Sequence, residues 1–360
     1  MQPCDVIIPI WNQPLLTRRC LDSVESATGD PYRLLLIDNG SAPPTRQLLD
    51  IAAQRDPGRI QVIRNADNLG FIKAVNQGIR ASTAPYVCLL NNDTVVTPGW
   101  LEEMVRIAEG EPAIGLVNPS SNTLGYDPPQ RTTAGIRTYA ATFAQHRGAI
   151  RELPIATGFC LLIKRSVIEA IGLFDERYGM GNFEDADFSR RATDAGHRCV
   201  QALGAYVYHE EKASFKQQRG WERAFRTNQR IFYQRWGRPL RIVWESHGQE
   251  ATAQEAWAPV LLRLLRQGHW LRYSASDGAV APSIRRYATV GPVATGPGWR
   301  WVCLWHVLKR RKKPVDLVVV HDRSLATWLS WLRGGHCAVV LYQPTPHEVD
   351  HQCQRLSHSQ

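Results

Sequence analysis

Long apolar runs are missing from this 360-residue sequence, and none approaches the roughly 18 to 20 residues that a membrane-spanning helix needs. The amino terminus enters a strand pattern almost at once, which leaves no room for a signal peptide, so a cytoplasmic location is expected. The eight cysteines (Cys4, Cys20, Cys88, Cys160, Cys199, Cys303, Cys337, Cys353) form no CxxC pair and no metal-knuckle spacing. They are expected to be reduced, mostly buried thiols. There is no zinc finger, RNP-type aromatic strand or helix-turn-helix signature, no internal repeat and no low-complexity tract. The formal charge of +10 calls for an anionic partner. A phosphate-bearing substrate or an acidic membrane surface fits it better than nucleic acid, for which no motif speaks, and peripheral contact with the inner face of a membrane stays open.

What is present is an α/β rhythm, in a chain whose 44% hydrophobic content suffices for two cores. Strands are expected at "CDVIIPIWN" (4–12), "YRLLLIDNGS" (32–41), "IQVIRNADN" (60–68) and "YVCLLNNDTVVTPGW" (86–100), with helices at 15–27, 43–55 and 72–82 between them. Each strand ends in polar residues: Asn12, Asp38 with Asn39, Asn65 with Asp67, and Asn91 to Asp93. Ligands of open parallel sheets bind outside the carboxyl ends of the strands, so four such tips are expected to line one crevice. Any single tip also reads as turn chemistry, which Asn and Asp favour. From 112 to 153 the pattern weakens, and the stretch 111–135, rich in Pro, Gly, Ser and Thr, predicts a long loop. A strand and helix follow at 154–178, an acidic turn and short helix at 181–200, a strand at 197–211 and a helical arm near 215–236. From about 245, three further helix and strand pairs make a second α/β unit. The expected division is 1–240 and 241–360.

Asp93 ends an apolar strand, where an oxygen ligand for a hard divalent cation is well placed. Glu184 and Asp185 stand in a Gly-flanked turn before a helix, as general base or as helix cap, and "EDAD" offers three acids where a cap needs one. His209 ends the strand "AYVYH" and reads equally as a metal ligand or as a satisfied strand-edge histidine. The run Lys309 to Lys313 follows a helix with Trp301 and Trp305, and fits either a solvated helix terminus or an anionic lipid surface.

The ordered blocks "VIIPIWNQ", "LLLIDNGS", "NADNLGFIKAVNQGI", "LLNNDT", "TGFCLLIKR", "IGLFDE", "EDADFSRR" and "YHEEKASF" together resemble the family-2 glycosyltransferases of the GT-A fold, over about residues 4 to 240. The resemblance implies a Rossmann-like mixed sheet flanked by helices and a nucleotide-diphosphate sugar donor. It places Pro9, Ile10 and Trp11 near the nucleotide, Asp38 on the base, and Asn68, Gly70, Phe71 and Asn76 along the diphosphate and sugar. "NND" takes the place of the family's DxD-type motif, with Asn91 and Asn92 at the donor and Asp93 as the principal metal acid. Asn91 stands where many members carry Asp. His209 matches the third metal contact and Asp185 the general base, with Glu184 beside it.

Implied chemistry is an inverting transfer, dependent on Mn²⁺ or Mg²⁺, from a UDP-, dTDP- or GDP-linked sugar to a hydroxyl of a glycan or lipid-linked acceptor in surface polysaccharide synthesis. The "NLGF" and "LLNNDT" spellings lean toward rhamnosyltransferases. A loop at 118–135 and the turn "RYGMGN" are expected to order over the donor. A non-catalytic nucleotide-sugar or glycan-binding module is the alternative, argued against by intact Asp38, Asp93, Asp185 and His209. A sugar nucleotidyltransferase is a weaker one, because "PIWNQPLLTRR" lacks a Gly-rich basic turn. The tail "KKPVDLVVVHDRSLATWL" is similar to part of one Rossmann-like half of the two-domain nucleotide-sugar enzymes; His321 and Asp322 receive no catalytic role.

Overall fold

The first strands are apolar almost without interruption because both of their faces are covered. The computed structural model describes residues 2–210, 220–247, 251–274, 282–287, 289–292, 298–308, 314–331 and 338–358; the basic run 309–313, Cys337 and residues 215–219 of the expected arm lie outside these. The chain divides into two compact units, Met1–Ile231 and Phe232–Gln360.

In the first unit β1 (Cys4–Ile10), α1 (Pro14–Ala27), β2 (Tyr32–Asn39), α2 (Pro43–Arg55), β3 (Ile60–Asn65), α3 (Phe71–Ala81) and β4 (Tyr86–Leu90) alternate in the order the sequence predicts, although the fourth strand, expected over 86–100, ends at Leu90. Both α1 and α2 begin with proline, whose fixed φ suits a first helical turn and whose missing N–H has no partner to lose there. These strands pair in parallel in the order β3-β2-β1-β4, with Val6 opposite Leu34 and Cys88. Helix α3 lies so close on β1 that a Cβ at Gly78 would stand 2.4 Å from Cγ2 of Ile7. That approach seats Phe71, the first residue of α3, at the carboxyl edge of the sheet.

The sheet then changes direction. It continues through β5 (Thr94–Val96), α4 (Trp100–Gly110), β6 (Ile114–Ser120), α5 (Thr133–Ala141), β7 (Ile150–Leu153), β8 (Cys160–Lys164), α6 (Arg165–Ile171), α7 (Glu184–Asp194) and β9 (Arg198–His209), before α8 (Trp221–Trp236). Strand β8 runs antiparallel to both β4 and β6, β6 is parallel to β9, and β5 and β7 each run antiparallel to β9. The loop expected at 111–135 is therefore only partly a loop. Residues 114–120 form a wholly buried strand, and Asn118, the polar residue that disguises it, donates to the carbonyls of Thr157 and Cys160 at 2.8 and 2.6 Å.

The second unit holds β10 (Arg241–Glu245), α9 (Ala251–Arg266), β11 (Trp270–Ser274), α10 (Pro282–Arg285), β12 (Val290–Pro292), α11 (Trp299–Leu308), β13 (Leu317–Val320), α12 (Arg323–Trp331), β14 (Val339–Tyr342) and α13 (Pro346–His358). Its five strands are all parallel, in the order β12-β11-β10-β13-β14. Buried Glu245 clasps the turn after β13, accepting from the backbone N–H groups of His321 and Asp322 at 2.8 Å each. Arg300 pairs with Asp322 at 2.6 Å, so this acid is engaged in the scaffold. Seven cysteines are buried free thiols. Among the described residues no helix is long and apolar enough to cross a membrane.

Candidate active site

A cleft of about 610 Å³ opens at the carboxyl edge of the first sheet. Strand pairing builds its centre. Because Thr94 of β5 pairs with His209 at the end of β9, Asp93 comes beside the imidazole, with Oδ1 3.1 Å from Nε2. Because Leu90 of β4 pairs with Cys160 of β8, the N–H of Asn91 donates to the carbonyl of Phe159 at 2.8 Å. The ring of Phe159 stacks on His209 at 5.2 Å, and the N–H of the preceding residue, Gly158, donates to Oδ2 of Asp185 at 3.1 Å. One dipeptide thus touches both the Asp93–His209 pair and the acid at the start of α7.

Asp185 and Glu184 differ in what supports a charge. Asp185 accepts a second backbone N–H, from Ala186 at 2.8 Å. Burial nevertheless holds its carboxyl above the ordinary value. Glu184 is 7% exposed, and its Oε2 has no hydrogen-bond partner among the described residues. Burial first, then the neighbouring charge of Asp185, push its carboxyl up to about 8. Two adjacent carboxyls in so dry a place titrate as a pair; burial raises both, and the charge of Asp185 raises Glu184 further, which makes Glu184 the acid of the pair.

Buried polar atoms are normally hydrogen-bonded. Thr123 Oγ1, Thr157 Oγ1, Glu184 Oε2, His209 Nδ1 and Trp221 Nε1 are buried without a partner among the described residues, and all five belong to residues that line this cleft. Such a concentration marks where a ligand would complete the bonding.

Of the residues singled out in the sequence, Pro9, Ile10, Trp11, Asn68, Phe71, Asn91, Asn92, Asp93, Glu184, Asp185 and His209 line the cleft together. Asp38, Gly70 and Asn76 are not among the lining residues. Asp38 is fully buried, with Oδ2 taken by Arg64 at 2.7 Å and Oδ1 by the N–H of Ser41 at 3.0 Å. Asn76, also buried, exchanges two hydrogen bonds with the backbone of Phe174 at 2.9 and 3.0 Å and ties α3 to the turn that follows α6. Gly70, at φ +86°, supplies a close approach instead, since a Cβ there would meet Sδ of Met180 at 2.9 Å. Among the expected strand tips, Asn12 and Asn65 serve as turn chemistry: Asn12 caps the N–H of Ala42, and Asn65 donates to Asn39 and Gln77.

Asn39, expected at the crevice as a strand tip but given no role of its own, lines the cleft; sequence reasoning left out Thr123, Thr157 and the aromatic group Phe183, Trp221 and Phe225, which line it too. For the aromatics a signal existed. Trp221 and Phe225 stand four residues apart, on one face of a helix, although the same spacing also describes a core stripe.

The asparagine-rich tips and Asp93 lie in the part of the chain that a known family shares. Residues 5–172 match the sequence profile described as Glycosyl transferase family 2. The chain is 27% identical over 260 residues to the uncharacterized protein y4gI of Sinorhizobium fredii, a match covering 67% of this chain but only 27% of that protein. It is 30% identical over 226 residues to the N-acetylglucosaminyl-diphospho-decaprenol L-rhamnosyltransferase of Mycobacterium tuberculosis, covering 54% of this chain and 72% of the relative. Among solved structures it is similar, at a TM-score of 0.49 and 17% identity over 64% of this chain and 63% of the other, to the mannosyltransferase PcManGT of Pyrobaculum calidifontis in complex with GDP-Man and Mn²⁺. With a mixed α/β sheet in its first unit, the chain belongs to glycosyl transferase family 2.

Proposed function

We propose that this glycosyltransferase is an inverting, metal-dependent enzyme that moves a sugar from a nucleoside-diphosphate donor to a hydroxyl of a glycan or lipid-linked acceptor in surface polysaccharide synthesis. The observation that carries the reading is the convergence, in one cleft, of the Asp93–His209 pair and the Glu184–Asp185 pair.

Asp93 and His209 fit a divalent cation that binds together with a diphosphate. Their donor atoms are 3.1 Å apart and both side chains are only 13% exposed. No group of three or more acidic, histidine or cysteine ligands converges among the described residues. Two protein donors are what Mg²⁺ or Mn²⁺ uses when substrate phosphates and water fill its remaining positions. When bound, such an ion supplies charge neutralisation for a leaving diphosphate. Asn39, Asn68 and the backbone near Gly70 form one hydrogen-bonded bracket at the tip of β2, with Asn39 donating to Asn68 at 2.8 Å and to the carbonyl of Gly70 at 3.2 Å. That bracket, with Trp11 and Phe71, suits the nucleoside end of the donor.

Asp185, fixed by two backbone N–H groups, accepts the proton of the acceptor hydroxyl as its oxygen attacks the anomeric carbon. The bond from that carbon to the phosphate oxygen breaks as the new one forms, and the leaving diphosphate keeps the electron pair. A single displacement from the opposite face inverts the anomeric configuration. Glu184, protonated at neutral pH, adds no second charge against the developing alkoxide.

The test is nucleoside diphosphate release from UDP-, dTDP- and GDP-sugars, with a dTDP-linked 6-deoxyhexose first, in Mn²⁺ or Mg²⁺, beside Asp185→Asn. Release from one donor that requires the metal and Asp185 is expected. A donor that is retained but never released, with acceptors supplied, would return the protein to the binding-module reading.

A further inference from the structure

The cleft has a wall that donor and metal chemistry leave unused. Trp221, Phe225 and Asn228 fall on one face of α8, spaced by four and three residues. The amide of Asn228, 6% exposed, donates to the carbonyls of Tyr178 and Gly181 at 2.8 Å each and to that of Asn182 at 3.2 Å. Those bonds hold the turn before α7 in a conformation that non-glycine residues avoid, with Asn182 at φ +75° and Phe183 at φ +73°. The result is that Phe183 faces Phe225 at 5.2 Å between ring centroids, and Phe225 faces Trp221 at 5.3 Å. All three rings line the cleft, and Phe183 directly precedes Glu184 and Asp185 in the chain.

Two residues of this wall and its neighbourhood each hold a buried polar atom without a partner among the described residues, Nε1 of Trp221 and Oε2 of Glu184, and both residues line the cleft with Asp185. A polyprenyl chain would cover the rings but bring no acceptor to the indole N–H, forgoing a hydrogen bond whose absence costs about 1 to 3 kcal/mol. A serine or threonine side chain would bring a hydroxyl to Asp185 without covering the rings. An anionic sugar would meet the carboxyl pair. A neutral pyranose meets all three demands at once, with a C–H face for the aromatics, oxygens for the indole N–H and a hydroxyl for Asp185.

We propose that Phe183, Phe225 and Trp221 form the acceptor subsite and that the group they bind is a neutral pyranose residue. The inference rests on the transferase reading above. In the reaction the pyranose O–H gives its proton to Asp185, its oxygen bonds to the donor's anomeric carbon, and the nucleoside diphosphate departs with the electron pair.

The experiment uses the full chain and a panel of neutral methyl pyranosides, with farnesyl phosphate and a serine/threonine peptide as the competing probes. Binding is followed by saturation-transfer NMR, and stimulation of nucleoside diphosphate release is followed with the active donor. At least one pyranoside is expected to bind and to stimulate release. Trp221→Phe, which keeps a ring and removes the N–H, should weaken pyranoside binding about tenfold. Phe225→Ala should weaken it further, and in both variants the rise in pyranoside KM should exceed any rise in donor KM at least fivefold. Thermal melts confirm that each variant is folded. The proposal is overturned if no pyranoside binds, if only farnesyl phosphate or peptide does, or if the variants raise donor KM instead. The NMR arm needs no turnover, so absence of release from every donor would count against the transferase reading while binding still decides this one.

Discussion

Replacing Glu184 by glutamine should make the protein more stable, and increasingly so as pH rises. The native carboxyl is pushed from an ordinary 4.5 up to about 8, chiefly by burial. Between those values the unfolded chain has released this proton and the folded chain still holds it. Folding therefore takes up a proton, and stability falls as pH climbs from about 5 to 8. The slope for one such proton is about 1.4 kcal/mol per pH unit, which sets a ceiling of roughly 4 kcal/mol across the window. Titration as a pair with Asp185 reduces the part that belongs to Glu184, so about 2 kcal/mol is the working figure.

Glutamine copies the shape of the protonated acid and cannot ionise. Every other titrating group is common to both proteins, so the difference in melting temperature between Glu184→Gln and wild type isolates this site. It should be near zero at pH 5 and grow to about 4 to 8 °C in favour of the variant at pH 8, taking about 2 to 4 °C per kcal/mol for a unit of this size. Calorimetry at half-unit steps measures it. A difference that stays flat from pH 5 to 8.5, or shrinks as pH rises, would refute the assignment of the retained proton to Glu184.

Three further outcomes follow from individual contacts. Asp93→Asn and His209→Gln should each weaken Mn²⁺ binding in the presence of nucleoside diphosphate by about one to two orders of magnitude, read by titration calorimetry, whereas binding without the nucleotide should already be weak in the wild type. Asn76→Ala should lower stability by about 2 to 3 kcal/mol in urea unfolding, because it strands the N–H and carbonyl of Phe174, and should change nucleotide affinity little; lost affinity at unchanged stability would restore the donor role expected from the sequence. Gly78→Ala places a Cβ against Ile7 and should cost about 1 to 3 kcal/mol by overpacking α3 on β1, while a neutral result would mean that Ile7 moves aside freely.

The elements legible in the sequence are those whose burial is simple. Helix α2 spans Pro43–Arg55, as its proline start and periodicity predict, and β1, β2 and β4 are apolar through their centres because the sheet is covered on both sides. Strand β6 escaped notice because Asn118, Pro119 and Ser120 interrupt its apolar pattern, and their compatibility with burial depends on partners elsewhere, such as the carbonyls of Thr157 and Cys160. The side-chain pairs of the candidate site are of the same kind. Nothing local links Asp93 to His209; the link is the antiparallel register of β5 on β9, which only the folded sheet creates. Resemblance supplied that pairing where local pattern could not, but it also pointed to Asp38 and Asn76, whose side chains Arg64 and Phe174 engage.

What separates scaffold from site among these polar residues is therefore whether the protein itself uses their bonding capacity. Asn12, Asn65, Asn76 and Asp38 have theirs occupied by backbone, by arginine or by neighbouring amide side chains, and they shape the edge of the sheet. Thr123, Thr157, Glu184, His209 and Trp221, which line one cleft, each retain a buried atom without a partner among the described residues, although every such atom costs stability. That cost is recovered only when a ligand brings the missing partners. The polar ending of β4 follows the same logic. Asn91 gives its N–H to Phe159, Asn92 its amide to Thr17, and both hold in place the one residue of the three, Asp93, that carries a charge toward the cleft.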